Sequence, residues 1–169
     1  MLSAFRDSEG FPLSLLDRLR DDRPREQAEA PGALVCSWQE YRQSILHDIQ
    51  WLLNTTSLDA FGDGSPWSEI ARSTLNFGVP EVCGTAAAAV PQRRWERACE
   101  QALARFEPRL REDSIRVRIC PMGSGATANQ TLIEISAELM VAPIPLSFRV
   151  QIDRETSAAV IQELAARAA

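Results

Sequence analysis

The chain has 169 residues, of which 45% are hydrophobic, and a net charge of −5. That apolar content suits one folded domain with a tail and excludes general disorder, while an acidic balance with no long basic block disfavours unspecific binding to DNA or to anionic membranes. All 18 basic residues are arginine; without lysine, Schiff-base chemistry and a Walker-type phosphate loop are excluded.

The first ten residues carry Arg6, Asp7 and Glu9 and no apolar run, unlike a secretory signal. No stretch approaches the roughly 18 apolar residues of a membrane span, so a cytoplasmic chain without direct membrane insertion is expected. Residues 13–20 place Leu13, Leu15, Leu16 and Leu19 in a short amphipathic segment. Residues 21–31, charged and containing Pro24 and Pro31, read as a linker. The expected division is an N-terminal amphipathic segment with its linker, 1–31, and a main domain, 32–169.

Ser37 has the character of a helix N-cap, with Glu40 three residues on as its capping-box partner. The helix that follows runs to about Asn54. Trp38, Tyr41, Ile45, Ile49 and Leu52 lie three or four apart on one face, widened by Leu46 and Leu53, and Trp51 lies off it. Five large side chains, at about 1.5–3 kcal/mol each on burial, make this a core helix. Residues 55–66 form a loop, and 67–76 suggest a short helix begun near Trp67 or Ser68 and stopped by Gly78 and Pro80. After an irregular stretch, Trp95, Ala98, Cys99, Ala102, Leu103 and Phe106 give the clearest helical period, over 92–106, with Arg94, Arg97, Gln101 and Arg105 on other faces.

The period then changes to two. Ile115, Val117 and Ile119 alternate with arginines; Ile133, Ile135, Ala137, Leu139 and Val141 with Glu134, Ser136 and Glu138; Leu146, Phe148, Val150 and Ile152 with Ser147, Arg149 and Gln151. These are three strands, each with one buried face. Cross-strand charge pairs between arginines on the outer two strands and glutamates on the middle one would help fix register. Gly123 to Asn129 is a hairpin loop. Asp153 to Ser157 is a turn, and the tail reads as a fourth strand through Val160 and Ile161 or as helix in its alanines. Consecutive strands after collected helices define an α+β fold, with helices packed on one face of a small, mostly antiparallel sheet of three or four strands.

No catalytic residue emerges. Glycosidase chemistry needs two carboxylates about 5–9.5 Å apart across a cleft, and none of the acidic residues stands in a distinctive motif. His47 and Asp48 are helix neighbours and do not face each other. Gly123-Ser124-Gly125 lacks both the nucleophile elbow and a phosphate-loop lysine. Arg116, Arg118 and Arg149 are interleaved with Glu134 and Glu138, which makes a self-paired face, not a phosphate track. Cys36, Cys83, Cys99 and Cys120 are far apart beside a single histidine, so no metal site or cofactor is expected. They are expected as free thiols, with Cys99 and Cys120 in core elements.

Phe106-Glu107-Pro108-Arg109-Leu110 is the most informative stretch. Pro108 ends the helix near Phe106 and leaves Glu107 to Arg109 extended or turned, with acid and base on one side. Such a pair either braces the helix-to-sheet joint, at about 0–1 kcal/mol if exposed, or docks a partner through arginine's planar fork.

The order of segments resembles the lysozyme-like baseplate wedge family of contractile injection machines, and within it the subunits of type VI secretion baseplates. The resemblance covers nearly the whole chain. It rests on Ser14-Leu15-Leu16-Asp17-Arg18-Leu19, on Asp48-Ile49-Gln50-Trp51-Leu52-Leu53-Asn54-Thr55, on Ser73-Thr74-Leu75-Asn76-Phe77-Gly78-Val79-Pro80 and on the intact glutamate-proline-arginine motif at Glu107, Pro108 and Arg109. His47 and Thr56 depart from basic residues at the corresponding family positions. The resemblance implies a non-enzymatic, cytoplasmic subunit of a membrane-docked baseplate that contacts other wedge subunits and helps start sheath polymerisation, with Glu107, Pro108 and Arg109 as its main docking motif. The linker would let Leu15, Leu16 and Leu19 dock separately on a wedge partner, and an exposed strand edge could seed the sheath. A peptidoglycan hydrolase, which the family's name suggests, is the alternative.

Overall fold

The structure, a computed structural model, describes residues 10–19, 24–25, 35–58, 69–70, 73–80, 92–121 and 129–162. It is α+β. Internal contacts gather into two units, Met1–His47 and Asp48–Ala169, with the boundary inside one helix.

In the first unit, β1 (Phe11–Pro12) and β2 (Val35–Cys36) form a two-residue antiparallel ribbon. Elements this short carry no period, and neither is apparent in the sequence. Phe11 is buried and stacks on Tyr41 at 4.9 Å between ring centroids, with Trp38 tilted against it at 5.4 Å. Helix α1 (Leu15–Leu19) starts at Ser14, whose Oγ accepts from the Asp17 N–H and donates to the Asp17 carboxylate. That carboxylate also accepts from the Ser44 hydroxyl at 2.7 Å. Helix α2 (Trp38–Leu53) begins with the expected capping box. Ser37 N–H donates to Glu40 at 2.8 Å, and Glu40 N–H donates back to Ser37 Oγ at 3.3 Å. The Ser37 N–H and then the Ser37 hydroxyl, which also donates to the Glu40 carboxylate at 2.8 Å, hold that carboxyl below the usual carboxylate range. Tyr41, Ile45, Ile49 and Leu52 are buried with Leu46 and Leu53, and Trp51 is exposed, as the spacing requires.

The second unit is built on helix α3 (Gln92–Phe106) and an antiparallel sheet in the order β3-β4-β5-β6: β3 (Arg116–Ile119), β4 (Gln130–Glu138), β5 (Pro145–Asp153) and β6 (Ala159–Gln162). Helix α3 spans the residues its period predicts and buries Trp95, Cys99, Ala102 and Leu103. Burial pushes the Cys99 thiol far above its ordinary range, so it behaves as a small apolar side chain. Register sets Ile119, Ile133, Val150 and Ile161 in one rung and Val117, Ile135 and Phe148 in the next, all on the inner face. The ambiguous tail is strand at 159–162. The turn before it is closed by the Asp153 carboxylate, which accepts from the Thr156 and Glu155 N–H groups and lies below the usual aspartate range for that reason. Ser157 follows with φ 58°.

Four expectations need correction. The strand of residues 133–141 ends at Glu138: Leu139 instead bridges Leu110, and Val141 is exposed. Of the short helix over 67–76, the structure describes residues 69–70, which are helical, and a 3-10 turn at Thr74–Asn76; the remainder of that range, like residues 123–128 of the hairpin loop and Cys83, lies outside the described residues. Arg118, Glu134 and Arg149 do stand opposite one another in register, yet no ion pair joins them among the described residues. Cys120 is half-buried at the end of β3, so it is not a core residue.

Candidate functional site

Three of the four short stretches singled out in the sequence meet at one joint of the second unit. Glu107 continues the helix by donating its N–H to Leu103 O at 2.9 Å, then a turn forms, closed by Leu110 N–H on Glu107 O at 3.1 Å. Pro108 occupies the second turn position, where its fixed φ is an advantage. The glutamate side chain folds over this turn and accepts from the Arg109 N–H at 3.2 Å. It also takes Arg109 bidentately: Nε on Oε1 at 2.7 Å and Nη2 on Oε2 at 2.5 Å. Acid and base do share a side, as a turn and not as extended chain.

A third member comes from α2. Arg109 Nη2 also donates to Asp48 Oδ2 at 2.5 Å. Glu107 is only 2% exposed, and Arg109 is half-buried. Burial works against the charged guanidinium, but the hydrogen bonds and charges of Glu107 and then Asp48 outweigh it, and the Arg109 pKa moves up. Nothing local marks Asp48 as this partner, since it lies 61 residues from Arg109, although it opens the Asp48–Thr55 stretch singled out in the sequence. His47 is exposed.

The neighbouring stretches lock onto each other around this clasp. Val79 N–H donates to Thr55 O at 2.9 Å and Ser57 N–H to Val79 O at 3.0 Å, a parallel bridge between the end of the α2 motif and the asparagine-aromatic-glycine motif. Gly78 makes this approach attainable: its φ is +133°, and a β-carbon there would run into the Thr55 carbonyl. Its function is therefore close approach more than helix termination. Phe77 packs edge-on against Phe106 at 5.1 Å, and Trp95 Nε1 donates to Pro80 O at 2.9 Å. Asn54 holds the far strand, donating to Ala159 O and accepting from Ala159 N–H, both at 2.9 Å.

The clasp borders open surface. Arg109 O accepts from Met140 N–H at 2.8 Å, which brings Met140, 62% exposed, and Val141, 52% exposed, beside exposed Pro108. Arg111 pairs with Glu138 and Asp113, both at 2.8 Å. In the first unit, Leu15, Leu16 and Leu19 are all exposed on α1. Among the described residues no group of His, Cys, Asp and Glu is arranged to hold a metal, and no helix is long and apolar enough to cross a membrane. A shallow concavity of about 480 Å³ on α3 is lined by Arg93, Arg94, Arg97, Ala98 and Gln101, with no carboxylate.

Charged and apolar signature residues thus go into joints and exposed patches, the pattern of an assembly module. Residues 39–143 match the family model of baseplate wedge protein gp25, and the chain belongs to that family. Membership places it among the structural proteins of phage-like baseplates. Comparisons with curated proteins and with solved structures return no match.

Proposed function

We propose that the chain is a TssE-type subunit of a type VI secretion baseplate, which joins wedge proteins and helps initiate the contractile sheath. Its partners in this reading are the wedge subunits TssF, TssG and TssK and the sheath proteins TssB and TssC, on the cytoplasmic side of a membrane-docked complex. The observation that carries the reading is the corner at Glu107, Pro108 and Arg109. A largely buried ion cluster fixes its shape, and Pro108, Met140 and Val141 lie exposed around it. Methionine, proline and a half-buried arginine over a rigid base suit a docking patch. Leu15, Leu16 and Leu19, exposed on α1, form a second apolar surface for a wedge partner.

The sheath role is supported by the free side of the sheet. Asn54 occupies both backbone groups of Ala159, so those groups face away from β5, and the groups of Ile161, two further on, face the same way. An added strand can pair there. Baseplate assembly requires no catalysis.

The test is copurification with wedge proteins, read with circular dichroism. Glu107→Ala and Arg109→Ala each strand a buried charge and shift stability as well as binding, so Met140→Asp, on open surface, is the decisive variant. Native dichroism with at least tenfold weaker copurification is expected. Normal copurification by Met140→Asp and by both clasp variants removes the docking role. Clearing of purified cell wall that is lost on replacing one carboxylate replaces the whole reading with a hydrolase.

A further inference from the structure

We propose that the outward face of α3 docks an acidic segment of a partner protein, an inference that rests on the assembly role above and assigns it a second, electrostatic contact. At about 100° per residue, Arg93, Arg97, Gln101 and Arg94 fall in one sector of the helix, opposite the sector that buries Trp95, Cys99, Ala102 and Leu103. They line the shallow concavity of about 480 Å³. Arg93, Arg94 and Arg97 have no ion pair among the described residues.

The reason is specific. The carboxylates placed to neutralise them along the helix are Glu96, three residues after Arg93, and Glu100, three after Arg97. Both are committed elsewhere. Glu96 accepts from Ile119 N–H at 2.8 Å and from Gln92 Nε2 at 3.0 Å, and Glu100 accepts from Val117 N–H at 3.0 Å. Among the described residues, three guanidinium groups are left without counter-charge, with like charges three and four residues apart. Two of them sit in the first helical turn, where cations are unfavourable. The arrangement costs the isolated fold stability and is relieved by an anion.

The anion that fits is a set of carboxylates on a protein segment. Guanidinium forks bind carboxylates bidentately, and a shallow concavity admits side chains from a helix or loop. The patch is short and bounded on one flank by Glu96 and Glu100, and the chain is acidic overall, so it offers no continuous track for a polyphosphate backbone.

The full chain is titrated by fluorescence anisotropy with labelled hexaglutamate peptide, with a single-stranded DNA 12-mer and with vesicles containing 20% phosphatidylserine. Peptide binding is expected to weaken at least tenfold in the Arg93→Glu, Arg94→Glu, Arg97→Glu variant, whose melting temperature is not lowered. Equal peptide affinity in the variant, a lowered melting temperature, or tighter binding of DNA or vesicles overturns the proposal. A photo-crosslinker at Gln101, in cells assembling the machine, is expected to capture an Asp/Glu-rich segment of a wedge subunit. Capture from Pro108 but not from Gln101 sinks this inference and leaves the docking corner standing; silence at both positions sinks both.

Discussion

The sheet has two outer strands, and they end in different ways. On the β3 side the outward N–H groups of Val117 and Ile119 are taken by Glu100 and Glu96 from α3. On the β6 side, among the described residues, one side chain, Asn54, holds only Ala159, and Ile161 presents its backbone groups beyond it. Unpaired strand edges invite any other strand. Closing one of them with helix carboxylates, while anchoring the other at a single point, restricts strand addition to one side. In the proposed sheath-initiating role, that asymmetry would direct growth to one side.

The largest way to break this contrast is to open the closed side. Glu96→Ala with Glu100→Ala removes two charge-assisted bonds to strand N–H groups, which is expected to cost roughly 3 kcal/mol and to produce self-association through β3. Chemical denaturation and sedimentation velocity together check both halves. A monomer of unchanged stability would show that the carboxylates do not guard the edge. On the other side, Asn54→Ala removes both bonds to Ala159 and is expected to cost about 1–2 kcal/mol, with faster amide exchange confined to β6. Exchange that rises equally in β4 would mean that Asn54 supports the whole sheet instead of its last strand.

The smallest effect lies in the turn leading to β6. The folded Asp153 carboxyl titrates below its unfolded value because two backbone N–H groups donate to it. Its contribution is therefore fully present above pH about 4 and is lost as pH falls through the lower, folded value. Asp153→Asn is expected to lower the melting temperature near neutral pH and to converge with the parent chain only in acid below the titration of the folded Asp153 carboxyl. Parallel melting curves at all pH values would exclude this turn as an acid-sensitive point.

Helix α3 was legible in the sequence from end to end because six apolar residues repeat at its own period, and β5 because period two runs unbroken through it. The capping box of α2 was equally plain. Legibility failed where structure depends on distant partners. Asp48 joins Arg109, and Asn54 joins Ala159, across separations no local pattern encodes. Glu96 and Glu100 did leave a signal, an acidic pair four apart on the helix just before an edge strand, but helical period alone does not say that a flank faces strand N–H groups. In the candidate site, acid and base on one side of Pro108 could be read from the sequence; the burial of Glu107 could not, since ionised residues are rarely enclosed without a partner that must first be found.

The Asn54 grip has a bearing on biosynthesis. Its two ends are 105 residues apart, so ribosomal translation delivers the anchor long before the strand that it seats. Chains stopped before residue 159 lack β6 and leave the outer edge of β5 uncovered. The sheet is thus finished only after its other three strands, with Asn54 already in place to fix where the last one sits.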